Sequence, residues 1–311
     1  MEEYIYQIRK YLPIEFAEQE TNEFVDYLFS AYLENIRTEK YQFSFMAFHM
    51  LYMSYIFKVK WFLKEQGDEQ INEYLTNLSK DKGKDVVFNT LFDLSQNSES
   101  TTIDKLLKAL SFHVNDIGTC KHFVEVRNKC AHASGKIYYK RSNQIEHFIS
   151  EEIENIKAIQ SKTKPQLKIT LQKFIDDFWE ENWIEGCVNE WIVSNYLSEQ
   201  DVVEILKLKM SFLNQLSDNK EVILKKLLYC NLVYELTSYV ENRDNYFLKS
   251  LQLFMNGLID EVDISKDAEN EPKLKSTKEL IEERILPLFA ELSSEDLKKG
   301  QKILKMDIVD N

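Results

Sequence analysis

Three side chains near the middle of the chain have types and a spacing that suit chemistry at a phosphate group. They are Arg127, Asn128 and His132. In a helix, residues four apart lie one turn apart on the same face, so Asn128 and His132 are expected to be neighbours. Arg127 starts one position round the helix, but its long side chain can reach the same pocket. A guanidinium, an amide and an imidazole can therefore converge on one anion.

This trio suits phosphoryl transfer. Imidazole titrates near neutral pH and can exchange a proton with a ribose hydroxyl or a leaving oxygen. Guanidinium can bind a phosphate through two parallel hydrogen bonds. Such chemistry requires no metal ion and no other cofactor. An Arg and a His five residues apart also occur by chance in many helical proteins, so the spacing alone leaves a purely structural role open.

Basic residues surround the trio, although the chain as a whole is acidic. The formal net charge of −13 argues against binding of a phosphate backbone by the whole surface. Residues 121–141 hold one acid, Glu125, and six basic residues: Lys121, Arg127, Lys129, Lys136, Lys140 and Arg141. The five basic residues other than Arg127 are candidate RNA contacts. A solvated helix face with basic residues near its C-terminus would give the same pattern, and charge alone does not choose between the two.

The rest of the sequence predicts an all-α fold to position these residues. Only 7 Gly and 4 Pro occur in 311 residues, and so few helix breakers favour long helices. Apolar periodicity predicts helices at 22–36, 41–66, 71–78, 85–94, 101–112, 118–133 and 142–162. Gly135 is expected to cap the motif helix, residues 96–100 to form a loop, and residues 136–140 are the only candidate strand.

Pro165 is the expected boundary between a domain of residues 1–164 and a C-terminal helical domain of residues 165–311. Beyond it, helices are predicted near 167–181, 187–196, 199–216, 221–239, 246–262 and 277–292, with an exposed loop at 263–278.

Nothing in the sequence predicts a membrane or secreted protein. The most apolar stretch, residues 43–63, is interrupted by polar side chains and indicates a buried amphipathic helix. The N-terminus is charged and does not resemble a signal peptide. The four cysteines are scattered without a CxxC pair, so we expect reduced thiols and neither a zinc site nor a disulfide framework. These features predict a soluble, cytoplasmic protein.

The heptapeptide V-R-N-K-C-A-H, from Val126 to His132, resembles the signature of the HEPN superfamily. In that family an Arg, often followed by a polar residue, precedes a His late in a helix of a four-helix bundle. The resemblance extends over roughly residues 22–162 and says little about the C-terminal half. It implies an N-terminal HEPN-like four-helix bundle with an additional C-terminal helical region.

The resemblance also implies a function, that of a metal-independent RNA endonuclease without a cofactor. Arg127 would contact the scissile phosphate, His132 would act as general acid or base, and Asn128 would orient them. Attack by the ribose 2′-hydroxyl would leave a 2′,3′-cyclic phosphate. Family members typically form homodimers in which two motifs face one cleft, and many act on tRNA or mRNA as toxins or in abortive infection and antiviral defence. In one subgroup a regulatory tyrosine follows the His by two residues, and here that position is Ser134.

A second function of a different class is open, that of a non-catalytic helical interaction protein that uses the bundle for dimerisation or RNA binding. Burial separates the two, because a His132 packed in the core would exclude catalysis. His49, on an apolar helix, is predicted to be a hydrogen-bonded core residue, the alternative being a partner behind the catalytic pocket. Acidic and aromatic residues around Trp179 and Trp183 form a candidate surface for an antitoxin or another regulatory protein.

Overall fold

The computed structural model describes residues 1–73, 91–96, 98–132, 136–181, 187–207, 236 and 239–240. In this part of the chain the fold is all-α, as the sequence predicts. It contains a 3-10 helix at Leu91–Gln96 and eight α-helices: α1 (Glu2–Arg9), α2 (Gln19–Arg37), α3 (Tyr41–Glu65), α4 (Glu99–Ala109), α5 (Val114–Ala131), α6 (Asn143–Glu181), α7 (Cys187–Ser194) and α8 (Glu199–Lys207). The described residues hold no strand, only an isolated bridge between Pro13 and Ser198.

The chain divides into two compact units. The first comprises Met1–Thr170 and Ile192–Gln200, and the second comprises Leu171–Trp191 and Asp201–Asn311. Helix α6 runs through Pro165, so the two helices expected on either side of this proline are one helix. The domain boundary at residues 164 and 165 stays a prediction.

Helix α3 is the centre of the first unit. It packs against α1, α2, α4, α5 and the 3-10 helix, and it is buried from Ala47 to Leu63 apart from Met50. Tyr52 also donates a hydrogen bond to Asn155 of α6, with an Oη–Oδ1 distance of 2.7 Å. The expected amphipathic helix is therefore enclosed on nearly every face. No helix in the described ranges has the length and apolar character needed to cross a membrane.

The ends of α3 and α4 follow from local sequence. Gly67 follows α3 with φ of +79°, a left-handed conformation that glycine adopts without strain and that commonly ends a helix. Helix α4 begins at Glu99, two residues before its predicted start, because the hydroxyl of Ser98 accepts a hydrogen bond from the backbone N–H of Thr101. The prediction of a loop through residue 100 was therefore wrong, and Glu99 lies in the first turn of a helix.

The motif helix α5 begins at Val114, four residues before the predicted start, and ends at Ala131. Its expected cap, Gly135, lies outside the described residues. The strand predicted at 136–140 is absent from the described structure. Backbone N–H groups of Tyr138 and Lys140 donate to side-chain amides of helices α3 and α6 rather than to another strand.

Other predicted elements fall partly or wholly beyond the described part of the chain. Residues 74–90 cover most of the predicted helices at 71–78 and 85–94, and Leu91–Gln96 is a 3-10 helix. Helices α7 and α8 match the predictions at 187–196 and the start of 199–216. The elements predicted from residue 221 onwards lie outside the described residues, apart from positions 236, 239 and 240.

Candidate functional site

The C-terminal end of α5 carries the predicted catalytic residues in different environments. Arg127 and Asn128 are partly buried, whereas His132 is exposed. The backbone N–H of His132 donates to the carbonyl of Asn128 at 3.1 Å, so the expected helical spacing holds. At His132 the backbone becomes extended, with ψ of 136°, and the helix ends. The imidazole of His132 is thus at the surface and not in the core.

The guanidinium of Arg127 is held by an acid on the neighbouring helix. Its Nη2 donates a hydrogen bond to Oε2 of Glu99, in the first turn of α4. The two side chains are 23% and 26% exposed, so the ion pair is largely shielded from water. Among the described residues, no hydrogen bond or ion pair joins the side chains of Arg127, Asn128 and His132. Their convergence on one phosphate stays a prediction.

Glu99 also connects Arg127 to two fully buried groups. Its Oε2 lies 3.4 Å from Nε2 of His49 on α3. On the other side of the ring, Nδ1 of His49 lies 2.5 Å from Oε1 of Glu152 on α6. We call His49, Glu99, Arg127 and Glu152 the charge cluster. Each of the four helices α3 to α6 contributes one of its members.

The structure confirms the prediction that His49 is a hydrogen-bonded core residue. The side chain is fully buried and hydrogen-bonded, as a core histidine would be. It also lies behind Arg127, to which Glu99 connects it. A role behind a catalytic pocket stays a prediction.

The charges of the cluster support one another. Burial alone would lower the pKa of His49, but the nearby carboxylates of Glu152 and Glu99 outweigh it and raise the pKa to about 9. Burial alone would raise the pKa of Glu99, but hydrogen bonds and charges from His49 and Arg127 lower it to about 2. At neutral pH a positive imidazolium therefore lies between two carboxyl groups. The pKa of Glu152 is raised by its complete burial, against the opposing influence of His49.

The cluster is not fully hydrogen-bonded. Nε of Arg127 and Oε2 of Glu152 are buried and have no hydrogen-bond partner in the described part of the chain, whereas Nε2 of His49 has the ion-pair contact with Glu99. A buried polar atom without a partner costs about 1–3 kcal/mol. Two such atoms lie in this cluster, although buried polar groups of native proteins are nearly always paired.

The segment after α5, residues 136–141, is called the basic segment. Two glutamines attach it to helices α3 and α6. Nε2 of Gln42, on α3, donates to the carbonyl of Cys130 at 2.9 Å, and its Oε1 accepts from the backbone N–H of Tyr138 at 3.0 Å. Oε1 of Gln144, on α6, accepts from the N–H groups of Lys140 and Arg141 at 2.8 and 3.0 Å. Gln42 therefore links the end of the motif helix to the basic segment beyond it.

Four of the five predicted RNA contacts have exposed side chains: Lys129, Lys136, Lys140 and Arg141. Lys121 differs, because its ammonium lies 3.4 Å from Oδ1 of Asp104 on α4. An anion at Lys121 would have to compete with that carboxylate.

Several candidates lie outside what the structure describes. Ser134, at the tyrosine position of one HEPN subgroup, is one of them, and the acidic and aromatic side chains of residues 175–187 are others.

Cys120 and Cys130 are free and buried. No group of three or more metal-binding side chains is assembled within the described ranges.

No protein-family model, curated protein or solved structure matches this chain. The proposals below therefore rest on its own residues and on the resemblance at Val126 to His132.

Proposed function

We propose that the protein is a metal-independent RNA endonuclease of the HEPN type. The observation that carries the proposal is the position of His132, exposed at the end of α5 and one helical turn from Asn128. A general acid or base must reach its substrate, and this imidazole is accessible. Exposed basic residues follow at 136–141, where they would attract a polyanion.

In the proposed reaction the ribose 2′-hydroxyl attacks the adjacent phosphorus. One base takes the 2′-hydroxyl proton while the bond from phosphorus to the 5′-oxygen breaks, and one acid protonates that oxygen. The products are a 2′,3′-cyclic phosphate and a 5′-hydroxyl. A single imidazole cannot perform both transfers in one step, so we propose a homodimer in which the two copies of His132 act as base and acid.

Arg127 would stabilise the negative charge that develops on the phosphate. A guanidinium suits this role because it stays charged and binds phosphate oxygens directionally. Asn128, beside it in the sequence and one turn from His132, would orient the RNA or the imidazole. The resemblance further suggests a role as a toxin or in antiviral defence in the cytoplasm, with tRNA or mRNA as target and an antitoxin or regulatory protein as partner.

The ion pair of Arg127 with Glu99 also favours a second candidate, a non-catalytic interaction protein. An arginine engaged inside its own bundle is what a purely structural role requires. In that case the exposed basic segment would bind RNA without cleaving it.

Incubation of the purified protein with total RNA in EDTA separates these candidates. The endonuclease proposal predicts cleavage by the wild type that is lost in folded His132→Ala and Arg127→Ala variants. His147→Ala is the matched control, because His147 is an exposed histidine on α6 that pairs with Glu151. RNA binding without cleavage would support the interaction protein instead.

The oligomeric state tests whether two copies of His132 share one active site. Sedimentation equilibrium at micromolar concentration should give twice the mass of the chain. A monomer that nevertheless cleaves RNA would contradict the shared roles of the two His132 side chains.

A further inference from the structure

Glu99 has an unusual position between two cations. Its Oε2 accepts a hydrogen bond from Arg127 and also lies 3.4 Å from Nε2 of the buried His49. Since Glu152 lies on the other side of His49, acidic and basic side chains alternate from the surface to the core. The alternation extends from the guanidinium of Arg127 to the fully buried carboxyl group of Glu152.

The contact between Glu99 and Arg127 differs from the surface ion pairs of the first unit. Nε of Arg37 lies 3.1 Å from Oε1 of Glu2, with side chains that are 64% and 46% exposed. Such a pair is screened by water and orders its partners weakly. The contact of Glu99 with Arg127 is shielded by comparison, and it is backed by a buried imidazolium that cannot move without disrupting the core. Glu99 can therefore fix a guanidinium in a way that Glu2 cannot.

We infer that Glu99 is a positioning residue for Arg127, and that His49 and Glu152 hold Glu99 in place from behind. The inference rests on the proposed function for its catalytic consequence. The anchoring itself rests on the contacts alone. Glu99 binds one terminal nitrogen of the guanidinium and sets the direction in which the remaining N–H groups point.

Anchoring of this kind matters for a phosphate contact in the transition state. A flexible arginine must become ordered during the reaction, whereas an arginine already held needs less reorganisation. Misplacement of a catalytic group by about 1 Å can lower a rate roughly 100-fold. Loss of the anchor should therefore lower kcat more than it weakens RNA binding, because the exposed lysines are unchanged.

The test compares Glu99→Gln with the wild type and with Glu2→Gln, which removes the carboxylate of the exposed pair. The substitution at Glu99 keeps the shape of the side chain and removes its charge. We expect kcat for RNA cleavage to fall roughly tenfold or more with little change in KM, and Glu2→Gln to match the wild type. A kcat for Glu99→Gln equal to or higher than that of the wild type would overturn the inference, the higher value indicating that Glu99 restrains Arg127 from reacting.

A second readout is independent of cleavage. Phenylglyoxal modifies accessible arginines, and peptide mass spectrometry gives its rate of reaction at each one. In folded Glu99→Gln, Arg127 should react several-fold faster than in the wild type, while Arg37 reacts at an unchanged rate. Equal rates at Arg127 would overturn the anchoring. Absence of RNA cleavage by the wild type would instead remove the proposed function, and the modification rates would still decide whether Glu99 holds Arg127.

Discussion

The guanidinium of Arg127 and the buried imidazole of His49 meet at the same atom, Oε2 of Glu99. This atom joins a residue of the motif helix to the central helix α3. Glu152 continues the connection into α6. The candidate active site is therefore continuous with the core of the bundle, and changes in the core should be measurable at Arg127.

Removal of Glu152 should be strongly destabilising. Glu152→Leu leaves His49 buried without its nearest counter-charge, and breaking a buried pair in this way costs about 3 to 5 kcal/mol in the free energy of unfolding. The double variant His49→Phe with Glu152→Leu should cost less than the sum of the two single variants, because neither charge is then left alone. Urea unfolding of the four proteins measures this coupling.

Glu151→Leu is the control, because Glu151 is a neighbour on α6 that pairs with the exposed His147. Its effect should stay within about 0.5 kcal/mol. Additive costs for His49→Phe and Glu152→Leu would show that the two side chains do not interact.

The pH dependence of stability should report on His49. Its pKa rises from 6.5 to about 9 on folding, so the folded protein holds this proton more tightly than the unfolded chain. The resulting stabilisation is complete below pH 6.5 and is lost as the pH rises through about 9. It amounts to about 3 kcal/mol for a fully buried group. The stability difference between the wild type and His49→Gln should therefore shrink between pH 7 and pH 10.

His147→Gln provides the reference, since His147 is an exposed histidine whose side chain is 69% accessible. Its stability difference from the wild type should be close to zero at both pH values. A difference for His49→Gln that is the same at pH 7 and pH 10 would mean that His49 is neutral in the folded protein throughout this range.

Gln42 should hold the basic segment on the bundle. Gln42→Leu removes hydrogen bonds to the carbonyl of Cys130 and the N–H of Tyr138, which together contribute about 2 kcal/mol. We expect faster hydrogen exchange at the amide of Tyr138 and weaker RNA binding. Gln19→Leu, which removes an exposed contact with Glu23, should change neither. Unchanged exchange at Tyr138 in Gln42→Leu would show that other contacts position the segment.

The exposed lysines after α5 should determine the salt dependence of RNA binding. Each phosphate contact with single-stranded RNA contributes about 0.7 to the slope of log K against log salt concentration. The double variant Lys136→Gln with Lys140→Gln should therefore lower the slope by about 1.4. Lys157→Gln, on the exposed side of α6 where it pairs with Glu154, should leave the slope unchanged. An unaltered slope in the double variant would place the RNA elsewhere on the surface.

Much of the fold follows from apolar spacing in the sequence. The prediction for α3 was within one residue of its end, because a continuous apolar run closed by Gly67 has few alternatives. The predicted end of a helix before Pro165 was wrong, because α6 runs through the proline with Thr163 and Leu167 buried on either side of it. The predicted start of α4 at residue 101 was wrong because Ser98 caps the helix.

The contacts of the charge cluster were not predicted from the sequence. Glu152 fills a gap in a stripe of buried isoleucines, because Ile145, Ile149, Glu152, Ile156 and Ile159 follow one another at intervals of four and three residues. A carboxylate in such a stripe signals a buried charge that needs a partner. Glu99 likewise precedes Ile103 by four residues on the buried face of α4. These patterns identify acids on apolar helix faces, but only the packing of four helices shows that both acids meet at His49.

The chemistry of the RNA ends tests the central proposal most directly. Cleavage of a defined, end-labelled RNA in EDTA should yield 2′,3′-cyclic phosphate and 5′-hydroxyl ends with the wild type. It should yield neither with His132→Ala, whose circular dichroism should match that of the wild type. Cleavage that persists in His132→Ala, or ends that carry a 3′-hydroxyl and a 5′-phosphate, would contradict the assignment of His132 and Arg127 as the catalytic groups of a HEPN-type nuclease.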